Sequence, residues 1–256
     1  MLLAIDIGNT NITLGIFDNE RLVETFRLAS DKDLSQSEYE VLLKTLCKDY
    51  EIQDCVIGSV VEELSQVLKR ASDKVFNIDS FLVNPNINCG LKINLKNPKE
   101  VGADRIANAY GAKIKYSLPA IVIDIGTATT FDIVSKNGEF LGGVIMPGLN
   151  LQFKSLSSNT SKLPRINAGV SEKAIGDSTE NALLSGIMRG SACAIEGLIH
   201  QCELELGEKA TIIATGGQSR LISEYMIRSF DYIDPALTLE GLKLLYELNK
   251  VTKVSQ

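Results

Sequence analysis

The chain carries one short text twice. Residues 3–11 read LAIDIGNTN and residues 121–129 read IVIDIGTAT. In each copy an apolar run ends in Asp-Ile-Gly and small polar residues: Asp6-Ile7-Gly8-Asn9-Thr10 first, Asp124-Ile125-Gly126-Thr127-Ala128 second. A second β-rich run follows each copy, ITLGIF or TFDIV, and then a polar turn, Asp18-Asn19-Glu20 or Lys136-Asn137-Gly138. Both copies predict strand, tight turn, strand, turn, third strand. A duplication on this scale implies two similar domains facing each other. Each would offer a carboxylate and a glycine turn to something held between them, an arrangement suited to a nucleotide phosphate and its cation.

Composition narrows the partners. Of 256 residues, 45% are apolar and 23% charged, ordinary values for a globular protein of one or two domains. The net charge of −6, with no dense Lys/Arg run, argues against nucleic acid and anionic membranes. No apolar stretch approaches the ~20 residues that span a bilayer. The opening MLLAIDIGNTN lacks a basic segment and meets Asp at position 6, which is unlike a signal peptide. The five cysteines form no CxxC pair, so reduced, mostly buried thiols in a cytoplasm are expected.

The intervening segments alternate in period. Tyr39, Leu42, Leu43, Leu46 and Cys47 recur at helical spacing, and 55–61 is an apolar strand. A second helix is expected around Val67-Leu68. Segment 84–100 is turn-rich, and 103–116 is helical. Pro147-Gly148 starts a helix, 157–170 reads as a mobile surface loop, and a long helix runs from about 180 to 205. TIIAT (211–215) is a strand ending in Gly216-Gly217, two helices follow, and VTKVSQ (251–256) reads as a frayed tail. The mixed order argues α/β, with boundaries expected at 1–117 and 118–250.

Several residues carry possible chemistry. Gly8 permits a tight turn and close backbone approach to a ligand. Asn9, Thr10 and Asn11 place short donors near backbone amides, and Asp6 at a strand end could hold Mg²⁺, mostly through water. A plain β-turn accounts for one such copy; two strand-end aspartates in matched turns favour function. Asp124 and Thr127 stand where Asp6 and Asn9 stand. Asp104 opens a helix, so it is either a helix-dipole charge or a general base for a substrate hydroxyl. Arg105 could grip a substrate carboxylate or make a surface ion pair. Gly216 and Gly217 would let a flat adenine approach the backbone, or simply turn a strand into a helix. Gly142–Gly148 is equally open. His200, the single histidine, reads as structural, which argues against Ser-His-Asp and Cys-His catalysis.

Together these segments resemble type III pantothenate kinases, members of the actin, sugar-kinase and heat-shock ATPase superfamily. The resemblance rests on DIGNTN (6–11), PKEVGADR (98–105), DIGTATTFD (124–132), GGVIMPG (142–148), GDSTENALLSG (176–186) and TGG (215–217). It implies an α/β chain of two related domains of the actin-like ATPase (ribonuclease H-like) fold with a cleft between them. It also implies transfer of the ATP γ-phosphoryl group to pantothenate, the first step of coenzyme A synthesis. Asp6, Ile7, Gly8, Asn9, Thr10, Asn11, Ile12 and Thr13 would bind ATP phosphates and Mg²⁺, and Thr127 would contact ATP. Asp104 would accept the proton. Gly102, Ala103 and Arg105 would line the pantothenate pocket, with Thr179 contacting pantothenate near a subunit junction. Asp124 would bind K⁺ or NH₄⁺, and the protein would be a homodimer. Two positions depart from the pattern: Leu95 stands where many members have Tyr, and Asp177 where Lys is usual. The competing readings are a non-catalytic accessory regulator of the same fold and a kinase for another small hydroxyl acceptor.

Overall fold

The computed structural model describes residues 1–160 and 163–254. The chain divides into two compact units, Met1–Ile114 with Ala236–Gln256, and Lys115–Pro235. The first unit contains strands β1 (Leu2–Ile7), β2 (Asn11–Asp18), β3 (Arg21–Ala29), β4 (Asp54–Ser59), β5 (Phe81–Leu82) and the short β6 (Lys92–Ile93). Its helices are α1 (Gln36–Leu46), α2 (Glu62–Phe76) and α3 (Ala103–Lys115), which runs one residue into the second unit. The second unit holds β7 (Ala120–Ile125), β8 (Ala128–Val134), β9 (Glu139–Pro147), α4 (Leu149–Asn159), α5 (Thr179–Leu184), α6 (Gly190–Leu206), β10 (Thr211–Thr215), α7 (Ser219–Ser223) and β11 (Tyr232–Ile233). The last helix, α8 (Leu237–Val254), belongs to the first unit.

The duplication in the sequence is a duplication in topology. The first sheet runs β3-β2-β1-β4-β5, and the second unit's strands run β9-β8-β7-β10-β11. In each, the first strand pairs antiparallel with the second and parallel with the fourth. The central strands β1 and β7 are almost wholly buried, as expected where apolar residues cover both faces. The outer meander strands β3 and β9 largely alternate in exposure, as strands at a partly wet face do. Even the irregularity repeats. A register shift falls between Ile16 and Phe17 in one hairpin and between Ile133 and Val134 in the other. Each neighbouring turn uses a left-handed residue, Asn19 at φ 51° and Gly138 at φ 72°.

Each unit has its own apolar core. Leu3, Ile5, Ile7, Ile12, Leu14 and Leu64 fill the first, and Ile121, Ile123, Phe131, Met188 and Ile212 the second. Deleting most of one such side chain, as in Ile5→Ala, removes about 2–5 kcal/mol. Local signals set the helix ends. Ser35 and Glu38 form a reciprocal capping box on α1, and Gly207 at φ 74° ends α6.

Three sequence expectations change. The C-terminal helix, expected in 118–250, packs on β1 and β4 of the first sheet. Gly15 and Gly58 leave room there for the side chains of Leu239 and Leu242. The expected tail at 251–256 is helical through Val254, and residues 255–256 lie outside the described residues. Of the expected loop at 157–170, residues 157–159 close α4, 163–170 have almost no regular structure, and 161–162 lie outside the described residues. One helical run, Thr179–Leu206, is long and apolar enough by composition to cross a membrane. Its Ile187, Met188, Ile195 and Ile199 are instead packed into the second core.

Candidate active site

The first DIG copy closes β1 onto β2. The Gly8 amide donates to the Asn11 carbonyl at 2.9 Å, leaving Asn9 and Thr10 exposed at the tip. Ile7 and Ile12 are fully buried beneath it, so they shape this elbow and leave ligand contact to their neighbours. Asp6 sits in register with Thr13 of β2 and Gly58 of β4, at the end of the sheet. Ser30, just past β3, ties the elbow from the side. Its amide donates to Thr10 O at 3.0 Å and its hydroxyl to Gly8 O at 2.5 Å. Sequence reasoning overlooked Ser30. No local pattern marks it, because only the β2–β3 register, with Ala29 opposite Asn11, brings the next residue beside the turn.

Asp104 lies in the first turn of α3 within the same unit. Its Oδ1 accepts from the Arg105 amide at 2.8 Å. A side chain on Gly102 would collide with that carboxylate and crowd Val60, so glycine lets Asp104 fold back there. The Val60 amide in turn donates to Ile7 O at 3.0 Å, which places this corner at the elbow end of β1. Burial pushes the Asp104 carboxyl above its usual range, against the opposing pull of the Arg105 amide and guanidinium. A carboxylate of raised pKa is a stronger base at neutral pH. Ala103 is buried, while Arg105 is only partly so.

In the second unit Asp124 ends β7, opposite Thr130 of β8 and Thr215 of β10. The turn closes with the Gly126 amide on Ala128 O at 3.0 Å, and Thr127 is exposed. Backbone from two other segments hems it in. The Gly148 amide donates to Thr127 O at 3.1 Å, and the Gln218 amide to Ile125 O at 3.2 Å. A Cβ on Gly148 would strike the Gly126 and Thr127 carbonyls, and one on Gly216, at φ 84°, would strike the Asp124 carboxylate. Beside this cradle the Thr215 hydroxyl is buried with no hydrogen-bond partner. Gly217 is exposed on the same turn. Thr179 stands at the exposed start of α5, where Ser178 caps the Asn181 amide at 3.1 Å. Asp177 there accepts from Asn181 at 2.6 Å and Lys173 at 3.0 Å, and both hold its carboxyl below the usual range. The structure thus gathers the expected residues into two sets, one per unit. His200 is exposed on α6.

The model of the family described as Type III pantothenate kinase matches residues 2–201. A type III pantothenate kinase of Exiguobacterium sibiricum is 41% identical over 255 residues, covering 98% of this chain and all of that one. The chain belongs to the type III pantothenate kinase family.

For a type III pantothenate kinase the fold is the expected one, that of the actin-like ATPases and sugar kinases. A conserved Baf family protein of Campylobacter jejuni, named for transcriptional activation, superposes with a TM-score of 0.64 at 24% identity, covering 97% of this chain and 99% of that one. The activator of 2-hydroxyisocaproyl-CoA dehydratase from Clostridium difficile, solved with bound ADPNP, does so at 0.57 and 14%, covering 98% and 97%. At such identities the likeness is one of fold. A kinase of this family and fold uses ATP with a divalent metal. Among the described residues no three His, Cys, Asp or Glu side chains gather into a metal site. A carboxylate oxygen such as that of Asp6 is a donor of the kind hard cations take.

Proposed function

We propose that this chain transfers the γ-phosphoryl group of ATP to the terminal hydroxyl of pantothenate, giving 4'-phosphopantothenate, with Asp104 as the proton acceptor. The observation that carries this reading is the half-buried carboxylate of Asp104. It is held by its own helix start, raised in basicity, and set at the elbow end of β1. Phosphoryl transfer asks a protein mainly for positioning and charge neutralisation, and only the attacking hydroxyl needs a base.

The remaining assignments follow the family pattern residue by residue. Asp6, Gly8, Asn9, Thr10, Asn11 and Thr13 hold the ATP phosphates over the buried Ile7 and Ile12, with Asp6 facing Mg²⁺; Thr127 contacts ATP, and Gly216 and Gly217 take the adenine. Gly102, Ala103, Arg105 and Thr179 hold pantothenate, an anion to which Arg105 is a suitable counter-charge. Asp124 takes K⁺ or NH₄⁺. The orphaned Thr215 hydroxyl and the space kept open by Gly216 fit an oxygen-ligated cation there. We place the protein in the cytoplasm as a homodimer.

An ADP-release assay with pantothenate, ATP, Mg²⁺ and K⁺ tests the reading. Turnover is expected, and Asp104→Asn should lower kcat by about 10²–10⁴-fold with folding preserved. Full rate in that variant would reduce Asp104 to a helix-end charge. Absence of turnover in the wild type would favour an accessory regulator, and turnover only with another alcohol would change the substrate.

A further inference from the structure

Beside the first elbow lies a pocket of about 370 Å³ lined by Asn9, Lys32, Val60, Val61, Glu62, Glu63 and Gln66, all in the first unit. Asn9 is an elbow residue, so this pocket continues the surface assigned to the ATP phosphates. Lys32 is the only cation among its lining residues. Its place is fixed by the chain. Ser30, two residues earlier, is bonded to both Gly8 and Thr10 of the elbow. The ammonium group pairs with Glu63 at 2.6 Å, and the two side chains are 56% and 71% exposed.

We propose that Lys32 is a phosphate-binding residue of the kinase, held by Glu63 when nucleotide is absent and passed to the triphosphate when it arrives. The inference rests on the assignment of the elbow to ATP. The physics favours exchange over permanent pairing. An exposed ion pair is worth only about 0–1 kcal/mol, so Glu63 is a weak competitor. A triphosphate offers several charged oxygens, and charge-assisted hydrogen bonds to them are about twice as strong as neutral ones. A flexible ammonium group on a rim can follow phosphate as a point charge without fixed geometry. The neighbouring carboxylates of Glu62 and Glu63 would otherwise repel the nucleotide. Lys32 engaged on phosphate offsets that repulsion. Because the contact is made equally in the ground and transition states, it should act on KM and leave kcat nearly alone.

The test compares steady-state kinetics of Lys32→Ala, Lys32→Arg, Glu63→Gln and Asn9→Ala. Lys32→Ala should raise the KM for MgATP about tenfold, with kcat within about twofold and the KM for pantothenate unchanged. Lys32→Arg should restore most of that loss. Glu63→Gln, which frees the lysine, should lower the KM for MgATP by about two- to threefold. Since both side chains are exposed, thermal unfolding should match the wild type. Unchanged MgATP KM in Lys32→Ala, alongside a raised KM in Asn9→Ala, would overturn the role of Lys32 and leave the elbow assignment standing. Unchanged KM in both would overturn the elbow assignment and the role of Lys32 with it. A raised KM for MgATP in Glu63→Gln would make the ion pair a structural brace and also overturn the proposal.

Discussion

The two Asp-Ile-Gly elbows share a sequence pattern, a strand order and a register shift, yet they differ in surroundings. The first is open: Asn9 and Thr10 are exposed, Ser30 braces one side, and a pocket lies beside the tip. The second is enclosed by backbone, with Gly148 and Gly216 so close that neither tolerates a Cβ. One framework therefore yields an open loop in one unit and a tight backbone cradle in the other, the surroundings that the proposed phosphate and cation roles would require. The lesson is that a duplicated fold conserves where a turn is placed, while the segments packed against that turn decide what it can hold.

The contrast can be broken in three ways. The largest effect is expected from exchanging the paired aspartates. Asp6→Asn should lower kcat/KM for MgATP about 10²–10³-fold whatever the K⁺ concentration, because the carboxylate proposed to face Mg²⁺ is lost. Asp124→Asn should lower it about tenfold, and its residual activity should no longer respond to K⁺. A K⁺ titration of Asp124→Asn that overlays the wild type would remove the functional distinction between the elbows.

The next effect is in acid. Glu203 in the second unit is buried, and burial alone would raise its carboxyl. The Arg228 guanidinium at 2.9 Å from both oxygens, Lys209 at 2.7 Å and the Ala210 amide at 3.2 Å outweigh this and pull it down to about 2. Asp104 in the first unit is shifted the other way. A lowered folded pKa stabilises above the unfolded value, so Glu203 contributes fully above about pH 4.5. That contribution, about 3 kcal/mol, is lost as pH falls toward about 2. Asp104, with its raised pKa, has the opposite sign and weighs against stability as pH rises. Urea midpoints across this range for wild type and Glu203→Gln should converge at low pH. Parallel curves would refute the assignment. The smallest effect is steric. Gly148→Ala should destabilise by about 2 kcal/mol, since the new methyl meets backbone, while Gly8→Ala, 3.1 Å from Asn11 O, should change stability by less than about 1 kcal/mol. Equal shifts in urea denaturation would mean the second elbow is no tighter than the first.

Much of this was legible in the chain. Strong periodicity and turn residues gave the strands β1–β3 and β7–β9, and the glycines at 8, 148 and 216 marked real close approaches. What escaped depends on tertiary contact. The C-terminal helix has the same amphipathic pattern wherever it docks, and tertiary partners, among them the notches at Gly15 and Gly58 and the Lys243–Glu20 and Lys250–Asp54 pairs, direct it to the first sheet. Ser30 and Lys32 look like ordinary loop residues until the β2–β3 register brings them beside the elbow. The raised basicity of Asp104 comes from burial, which no local pattern records.

The docking of α8 has a temporal meaning. Ribosomes deliver β1 and β4 long before the helix that covers them, so during synthesis that sheet waits with its apolar surface bare. Leu239 and Leu242 arrive afterward and cover it at Gly15 and Gly58. The second unit, made from one uninterrupted segment, can mature first. A nascent chain halted before residue 237 would therefore hold a finished second half and an unfinished first, an order reversed from the direction of reading.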